Sequence, residues 1–571
     1  MRFVAAVLLC LVATPALAIE LPRPGEPVDV ERIIKSMSVE EKVGQLLFVG
    51  FGGTEVNPHI EFWVKQRHVG GVALFSRNIV DLKQTASFTR GIHALTDGKV
   101  PLFVALDQEG GNVVRVKDGA MTLPGNMALG ATRSTTLAYI AGQGLAVDLK
   151  LLGFNMNLAP VLDVNSNPKN PVIGVRSYGE KPELVADLGS WYVRGQQEMG
   201  VVAVAKHFPG HGDTHTDSHF DMPAISADLK RLNELELAPF KRAMDVGLDA
   251  VMTAHIALPR VAEEANLPAT LSRNILTKVL REQMGFDGIV ITDGLEMDGI
   301  VERYGSGRAA VIAVNAGADM PLVLWQMKKK DEVFDTLMAA VKSGEISPTR
   351  LDQSVRRILA VKARRGMFDR QIEPLERALR RDDRLATHQQ VSQQIAREAV
   401  TLVRNHANTL PIRAVRYRKV VVLAPSGPFA NRISKEKYVE VVNTAYIPSR
   451  EQRNADVERM IAASRGADLI IFATINRYHL EMAKRVMRAL PSTSAAMVSF
   501  ASPYYLESVP DIDAYVCTYS YLDDAQRAAA DALVGGQAMT GRLPVTIPGF
   551  YGFGHRVEDR MAEAPSDTAI Q

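Results

Sequence analysis

The chain has 571 residues, 47% hydrophobic and 23% charged, values that suit a soluble globular protein with ample core. A formal net charge of +2 lacks the basic excess that polyanion binding leaves, which excludes nucleic acid as the expected partner. Of the two cysteines, Cys10 falls in an apolar N-terminal segment, so Cys517 is the lone thiol expected in the mature chain and no intramolecular disulfide can form.

Residues 1–18 carry one arginine, an apolar run from Phe3 to Ala13, a proline break and Ala16-Leu17-Ala18 as a small-x-small cleavage site, the pattern of a removed secretory signal. The run is shorter than the roughly 20 apolar residues that span a bilayer. The mature protein is therefore expected outside the cytoplasm, periplasmic or secreted, with no membrane span. Leu21 to Ser36, charged and proline-containing, reads as an extended arm. Ser38 and Glu41 then fit a capping box that starts a first helix.

Eight short apolar, β-rich runs follow, most of them separated by helical-period segments: Leu46 to Phe51, Val69 to Phe75, Leu102 to Leu106, Phe154 to Ala159, Val201 to Ala205, Ala250 to Ala254, Gly288 to Ile291 and Met320 to Leu324. Strands apolar on both faces between amphipathic helices signal a parallel sheet covered by helices. Eight of them predict a (β/α)8 TIM-type barrel over residues 30–368; an open sheet with two miscounted strands is the alternative. Polar residues recur just after the runs: Asp107 and Glu109, Asp163 with Arg176 further along, Lys206 and His207, His255, and Thr292 with Asp293. A barrel gathers such positions into one mouth.

Helices are expected at Lys330 to Ser343 and Pro348 to Gly366. A charged linker and connecting helix take residues 369–395, that helix read as running from Leu385 to Arg404. A smaller αβα sandwich with a parallel sheet takes residues 396–571, its strands at Lys419 to Leu423, Asp468 to Thr474, Ala495 to Phe500 and Ala514 to Tyr519. It has no comparable cluster of histidines and acids, so it is assigned a structural or substrate-bounding role.

The densest chemistry lies between Val201 and Pro223, where a short apolar run gives way to four histidines (His207, His211, His215, His219) and three aspartates (Asp213, Asp217, Asp221). Ordering a loop with so little to bury costs about 1 to 2 kcal/mol per residue, which argues for function. Lys206-His-Phe-Pro-Gly-His-Gly212 followed by Asp217-Ser-His219, with Asp107-Gln-Glu-Gly-Gly, Val172-Ile-Gly-Val-Arg-Ser-Tyr-Gly179, Met252-Thr-Ala-His255 and Ile291-Thr-Asp293-Gly-Leu-Glu-Met297, resembles glycoside hydrolase family 3, in its β-N-acetylglucosaminidase branch acting on peptidoglycan fragments. The likeness is dense from Val39 to Leu324. It is looser in Arg397-Glu-Ala-Val-Thr-Leu-Val-Arg-Asn405 and Gly541-Arg-Leu-Pro-Val-Thr-Ile-Pro548.

The resemblance implies a retaining mechanism with Asp293 as nucleophile and His219, oriented by Asp217, as acid/base. It implies that Asp107, Arg176, Lys206 and His207 hold a carbohydrate substrate, with His255 lining the site, and that no cofactor or metal is needed. Asn112 departs from the arginine usual in the family, and Arg115 is a candidate replacement. Two other readings differ in class. The histidines could hold a divalent metal, although Pro209, Gly210 and Gly212 make the segment a loop rather than the helix that would align them. The chain could also be a non-catalytic cell-wall glycan-binding protein, against which stand both Asp293 and His219.

Overall fold

The computed structural model describes residues 19–558 apart from 24, 25, 118, 217–221, 370–373, 375, 378, 379, 381 and 382. The expected signal segment, Asp217 and His219 thus lie outside the described residues. The eight runs form one closed barrel in chain order, every pair parallel. The strands are β1 Phe48–Gly50, β2 Gly71–Leu74, β3 Phe103–Leu106, β4 Met156–Asn157, β5 Val202–Phe208, β6 Ala250–Thr253, β7 Ile289–Gly294 and β8 Met320–Val323. Only β5 and β7 outrun the stretches expected for them, and both shift register against a neighbour at that end. Irregular pairing of this kind re-aims side chains, and it falls where Lys206, His207 and Asp293 stand.

The Ser38–Glu41 capping box is present and starts the helix Val39–Leu46. The arm before it is partly helical, not extended throughout. Asp29 accepts from the Arg32 N–H to cap a helix over Val30–Ser36, and Ile33 and Ile34 bury against the barrel core. Helices Met327–Ser343 and Pro348–Arg364 stand where expected.

The second sheet is mixed. It comprises β9 Thr401–Asn405, β10 Val420–Pro425, β11 Val439–Thr444, β12 Leu469–Thr474, β13 Ala495–Ser499 and β14 Ala514–Cys517 in the order β11-β10-β12-β13-β14-β9, with β9 antiparallel to β14. The connecting helix ends at Ala399, not Arg404, and hands over to β9. Alternate residues of β10 go to opposite faces: Val421 and Leu423 join one apolar cluster, Val420, Val422 and Ala424 the other. Both faces are therefore covered, as a three-layer αβα domain requires.

The two parts pack together. Met127, Ala128 and Ala131, from the barrel-side helix Asn126–Thr132, belong to the apolar cluster on one face of the second sheet. Arg542 N–H donates to the Ala131 carbonyl (3.0 Å) and Glu180 N–H to the Pro544 carbonyl (3.0 Å). The Glu180 carboxylate accepts from the Thr546 N–H (2.6 Å) and hydroxyl (2.8 Å). Among the described residues no helix is long and apolar enough to cross a membrane.

Candidate active site

Acids and bases from β3, β5 and the loop after β4 meet in one buried network. After β3 the chain turns at Gly110, whose φ of 92° is left-handed and where a Cβ would come within 2.8 Å of the Leu123 carbonyl; glycine is needed on both counts. The turn places Glu109 inside. Its carboxylate accepts from Arg176 Nε (2.9 Å) and Nη2 (2.8 Å) and lies 2.7 Å from Lys206 Nζ. Lys206 Nζ also donates to Asp107 Oδ1 at 2.7 Å, and Arg115 Nη2 stands 3.6 Å from Asp107 Oδ2. Asp107, Glu109, Arg176, Lys206 and Arg115 thus form a continuous chain of ion pairs. Burial works against the charges on Glu109, Arg176 and Lys206. The facing cations nonetheless hold Glu109 far below the usual carboxylate range, and the facing anions hold Arg176 and Lys206 above theirs.

A second pair sits beside it. His207 Nδ1 donates to Asp163 Oδ2 (2.7 Å), and Asp163 Oδ1 accepts the backbone N–H of His207 (3.2 Å) and of His211 (2.6 Å). Burial would raise Asp163, but His207, His211 and these bonds keep it below the ordinary aspartate value, so it stays an anion and fixes the imidazole. The loop after β5 reaches this position because Gly212 lies against the backbone after β4, where a Cβ would fall 1.7 Å from the Val164 carbonyl oxygen. Asn167 and Asn170 fasten it by donating to the carbonyls of Thr214 (2.9 Å) and His211 (2.8 Å).

Each described loop histidine has its own partner: Asp163 for His207, Thr214 (2.7 Å) for His211 and Asn167 (3.1 Å) for His215. Among the described residues, no group of three His, Cys, Asp or Glu side chains is arranged to hold a metal ion. Burial depresses His211 to about 4, which leaves it neutral at physiological pH.

Across the mouth, half-buried Asp293 closes β7, with Oδ1 accepting the Gly294 N–H at 2.7 Å. His255 is wholly buried. Its Nδ1 pairs with the Thr270 hydroxyl (2.8 Å) and its Nε2 with the Gly294 carbonyl (3.0 Å). Expected from sequence to line the site, His255 is held by protein groups at both ring nitrogens. Its Nε2 contact holds the peptide next to Asp293.

Residues 38–361, more than half of the chain, match the glycosyl hydrolase family 3 N-terminal domain. The chain belongs to glycosyl hydrolase family 3. It is similar to beta-hexosaminidase A of Pseudoalteromonas piscicida, 33% identical over 63% of this chain and 63% of that one. It is similar also to a beta-N-acetylglucosaminidase/beta-glucosidase of Cellulomonas fimi, 29% identical over 90% of this chain and 95% of that one. Among solved structures, a family 3 beta-N-acetylglucosaminidase from Paenibacillus sp. str. FPU-7 superposes with a TM-score of 0.82 at 36% identity, covering 90% of this chain and 99% of that one.

In this family 3 glycoside hydrolase the barrel brings Asp107, Arg176, Lys206, His207 and Asp293 to one mouth, while Asp217 and His219 fall in the loop segment outside the described residues. Three buried acids carry more of the site than the sequence pattern assigned to them. Glu109 is the common partner of Arg176 and Lys206, and Asp163 orients His207. Glu296, three residues after Asp293, accepts the backbone N–H groups of Leu324, Trp325 and Gln326 at 2.6, 2.7 and 2.6 Å. The motifs Asp-Gln-Glu-Gly-Gly and Asp-Gly-Leu-Glu contain two of them, but only tertiary structure shows which groups they face.

Proposed function

We propose that this family 3 glycoside hydrolase is an exported, retaining β-N-acetylglucosaminidase that releases non-reducing terminal N-acetylglucosamine from peptidoglycan fragments. The observation that carries the reading is the opposition of a strand-end carboxylate, Asp293, to the Asp107–Lys206–Glu109–Arg176 network across one barrel mouth. The names of the relatives support the sugar. The N-terminal segment supports export, and with it a cell-wall source.

In this reading Asp107, Lys206, Arg176 and Asp163-held His207 bind the hydroxyls and acetamido group of the terminal sugar. Charge-assisted hydrogen bonds of about 1.5 to 3 kcal/mol each suit that task. The salt-bridge network keeps these groups in place before the sugar arrives, so little reorganisation opposes binding. An Asp293 carboxylate oxygen attacks the anomeric carbon as the bond to the aglycone oxygen breaks, and His219 gives that oxygen a proton. Water then attacks the glycosyl-enzyme, passes its proton to His219 and frees Asp293. Asp217 orients the imidazole, whose ordinary pKa near neutrality suits both steps.

Turnover of a chromogenic β-N-acetylglucosaminide, with proton NMR of the first product, is the test. Two inversions require the β-anomer to appear first. Absence of turnover would remove the enzymatic reading, and an α-anomer would remove the covalent one. Comparing a muropeptide disaccharide with a chitin disaccharide then decides the natural aglycone.

A further inference from the structure

We propose that Trp325 is the stacking platform for the sugar that leaves, the aglycone ring bonded to the terminal residue over Asp293; this rests on the glycosidase reading above. Trp325 follows the end of β8, and two of its ring carbons lie 3.5 Å from the point where a Cβ on Gly294 would stand. The indole thus packs against the immediate neighbour of Asp293. It is 46% exposed, whereas Trp63 is 3% exposed within the core. A large apolar ring left open at a barrel mouth forfeits burial that a core position would give it, so an open indole beside the reacting carbon points to a ligand.

The ring is also held in advance. The buried Glu296 carboxylate fixes the backbone on both sides of it through the N–H groups of residues 324, 325 and 326. Arg77 Nη2 donates to the Leu324 carbonyl at 3.3 Å. A Glu buried to accept three main-chain donors in succession makes a rigid ledge, and the aromatic side chain that ledge presents is the indole. Ordering costs are then met by the fold rather than by binding.

Direction decides which sugar meets it. The groups that grip the terminal sugar come from β3, β5 and the loop after β4, all on the β6 side of β7, whereas β8 adjoins β7 on its other side. With the anomeric carbon at Asp293, the next ring extends past β7 toward β8, where Trp325 stands. Pyranose faces carry C–H groups that pack on aromatic planes, while their edge hydroxyls stay in water.

The test compares two β-linked N-acetylglucosaminides whose leaving groups are both alkoxides, N,N'-diacetylchitobiose and methyl β-N-acetylglucosaminide, so that demand for the proton is matched. In Trp325→Ala the ratio of kcat/KM for disaccharide over methyl glycoside should fall by about tenfold or more. Trp325→Phe should restore most of that ratio. As a readout apart from turnover, chitobiose added to an Asp293→Asn protein should change the tryptophan fluorescence, and the change should vanish when Trp325 is also replaced by Phe. Equal losses on both substrates would overturn the platform and make Trp325 a support for Asp293. An unchanged ratio would overturn it as well. If the wild type cleaves neither substrate, the glycosidase reading itself falls and takes the platform with it.

Discussion

Glu109 shows how much a single buried acid can carry. It is nearly inaccessible, yet one carboxylate accepts the Arg176 fork and contacts the Lys206 ammonium. Replacing it with glutamine leaves two buried cations short of an anion, and breaking such a pair typically costs about 3 to 5 kcal/mol. Urea unfolding of Glu109→Gln should show a loss of that order together with a higher KM; a loss under about 1 kcal/mol would mean Asp107 satisfies Lys206 alone. Asp293→Asn should do the reverse, since the carboxamide keeps the shape of the half-buried side chain and can still accept the Gly294 N–H while losing the charge that the proposed attack needs. Its stability should stay within about 0.5 kcal/mol of wild type, as for substitutions away from special features. Its turnover should collapse, and a kcat above about a tenth of wild type, a barrier change under 1.4 kcal/mol, would disqualify Asp293 as nucleophile. These two positions also mark what a sequence discloses at this scale. Asp293 is legible because it ends an apolar run within a distinctive motif, whereas Glu109 and Asp163 read as an ordinary turn acid and strand-end acid. Their importance lies in the partners that folding brings from 44 or more residues away.

At the level of elements, the eight barrel strands are legible because each is buried on both faces, half-buried Asp293 near the end of β7 excepted, so their apolar runs survive without a turn to frame them. The second sheet loses two strands to the opposite circumstance. In the edge strand β11, Glu440 and Asn443 are exposed, which breaks the apolar run, and β9 continues a helical pattern without a break until Val400-Thr401 imposes β-branched geometry. The histidine loop depends on an element packed beneath it, the helix Leu229–Glu234 and the residues just after. Arg231 Nη2 donates to Asp213 of the loop (2.7 Å) and to Glu236 (3.1 Å), and a Cβ on Gly210 would lie 2.8 Å from the Glu236 Cβ. Burial pushes the Glu236 carboxyl up from its ordinary 4.5 to about 7, against the pull of Arg231. Below pH 4.5 the group is protonated folded or unfolded; between 4.5 and 7 the unfolded chain alone releases the proton, so stability drains away as pH rises through that window. At 1.4 kcal/mol per pKa unit the ceiling is about 3 kcal/mol. Glu236→Gln, neutral throughout, should gain on the wild type from pH 5 to about pH 7 and level off above it in urea titrations. A difference independent of pH would show that Glu236 does not titrate in that range.

Taken as a whole molecule, the second domain reaches the site without placing a charged cluster in it. The segment Gly541-Arg-Leu-Pro-Val-Thr-Ile-Pro548, read from sequence only as a looser part of the family likeness, lies against the loop after β4 that carries Arg176. Pro544 and Thr546 bond both ends of Glu180, four residues beyond Arg176, and Tyr504 takes a hydrogen bond from Asn165, two residues beyond Asp163 (3.0 Å). The barrel also leaves Met127, Ala128 and Ala131 to be buried by the second domain. A chain ending at residue 368, the boundary expected from sequence, would expose that face and release the loop at once. The truncated barrel should therefore aggregate or unfold at lower temperature, an outcome that by itself says little about the sugar site. Glu180→Ala separates the two effects because it removes the two Thr546 bonds that hold the loop while leaving the apolar interface covered. Its melting temperature should stay close to wild type, and KM should rise severalfold with kcat changed less, since the proposed function puts Arg176 in the sugar-holding network rather than in the bond-breaking pair. If instead kcat fell with KM unchanged, the second domain would act on the reacting groups, and its contact with the loop after β4 would be incidental to binding.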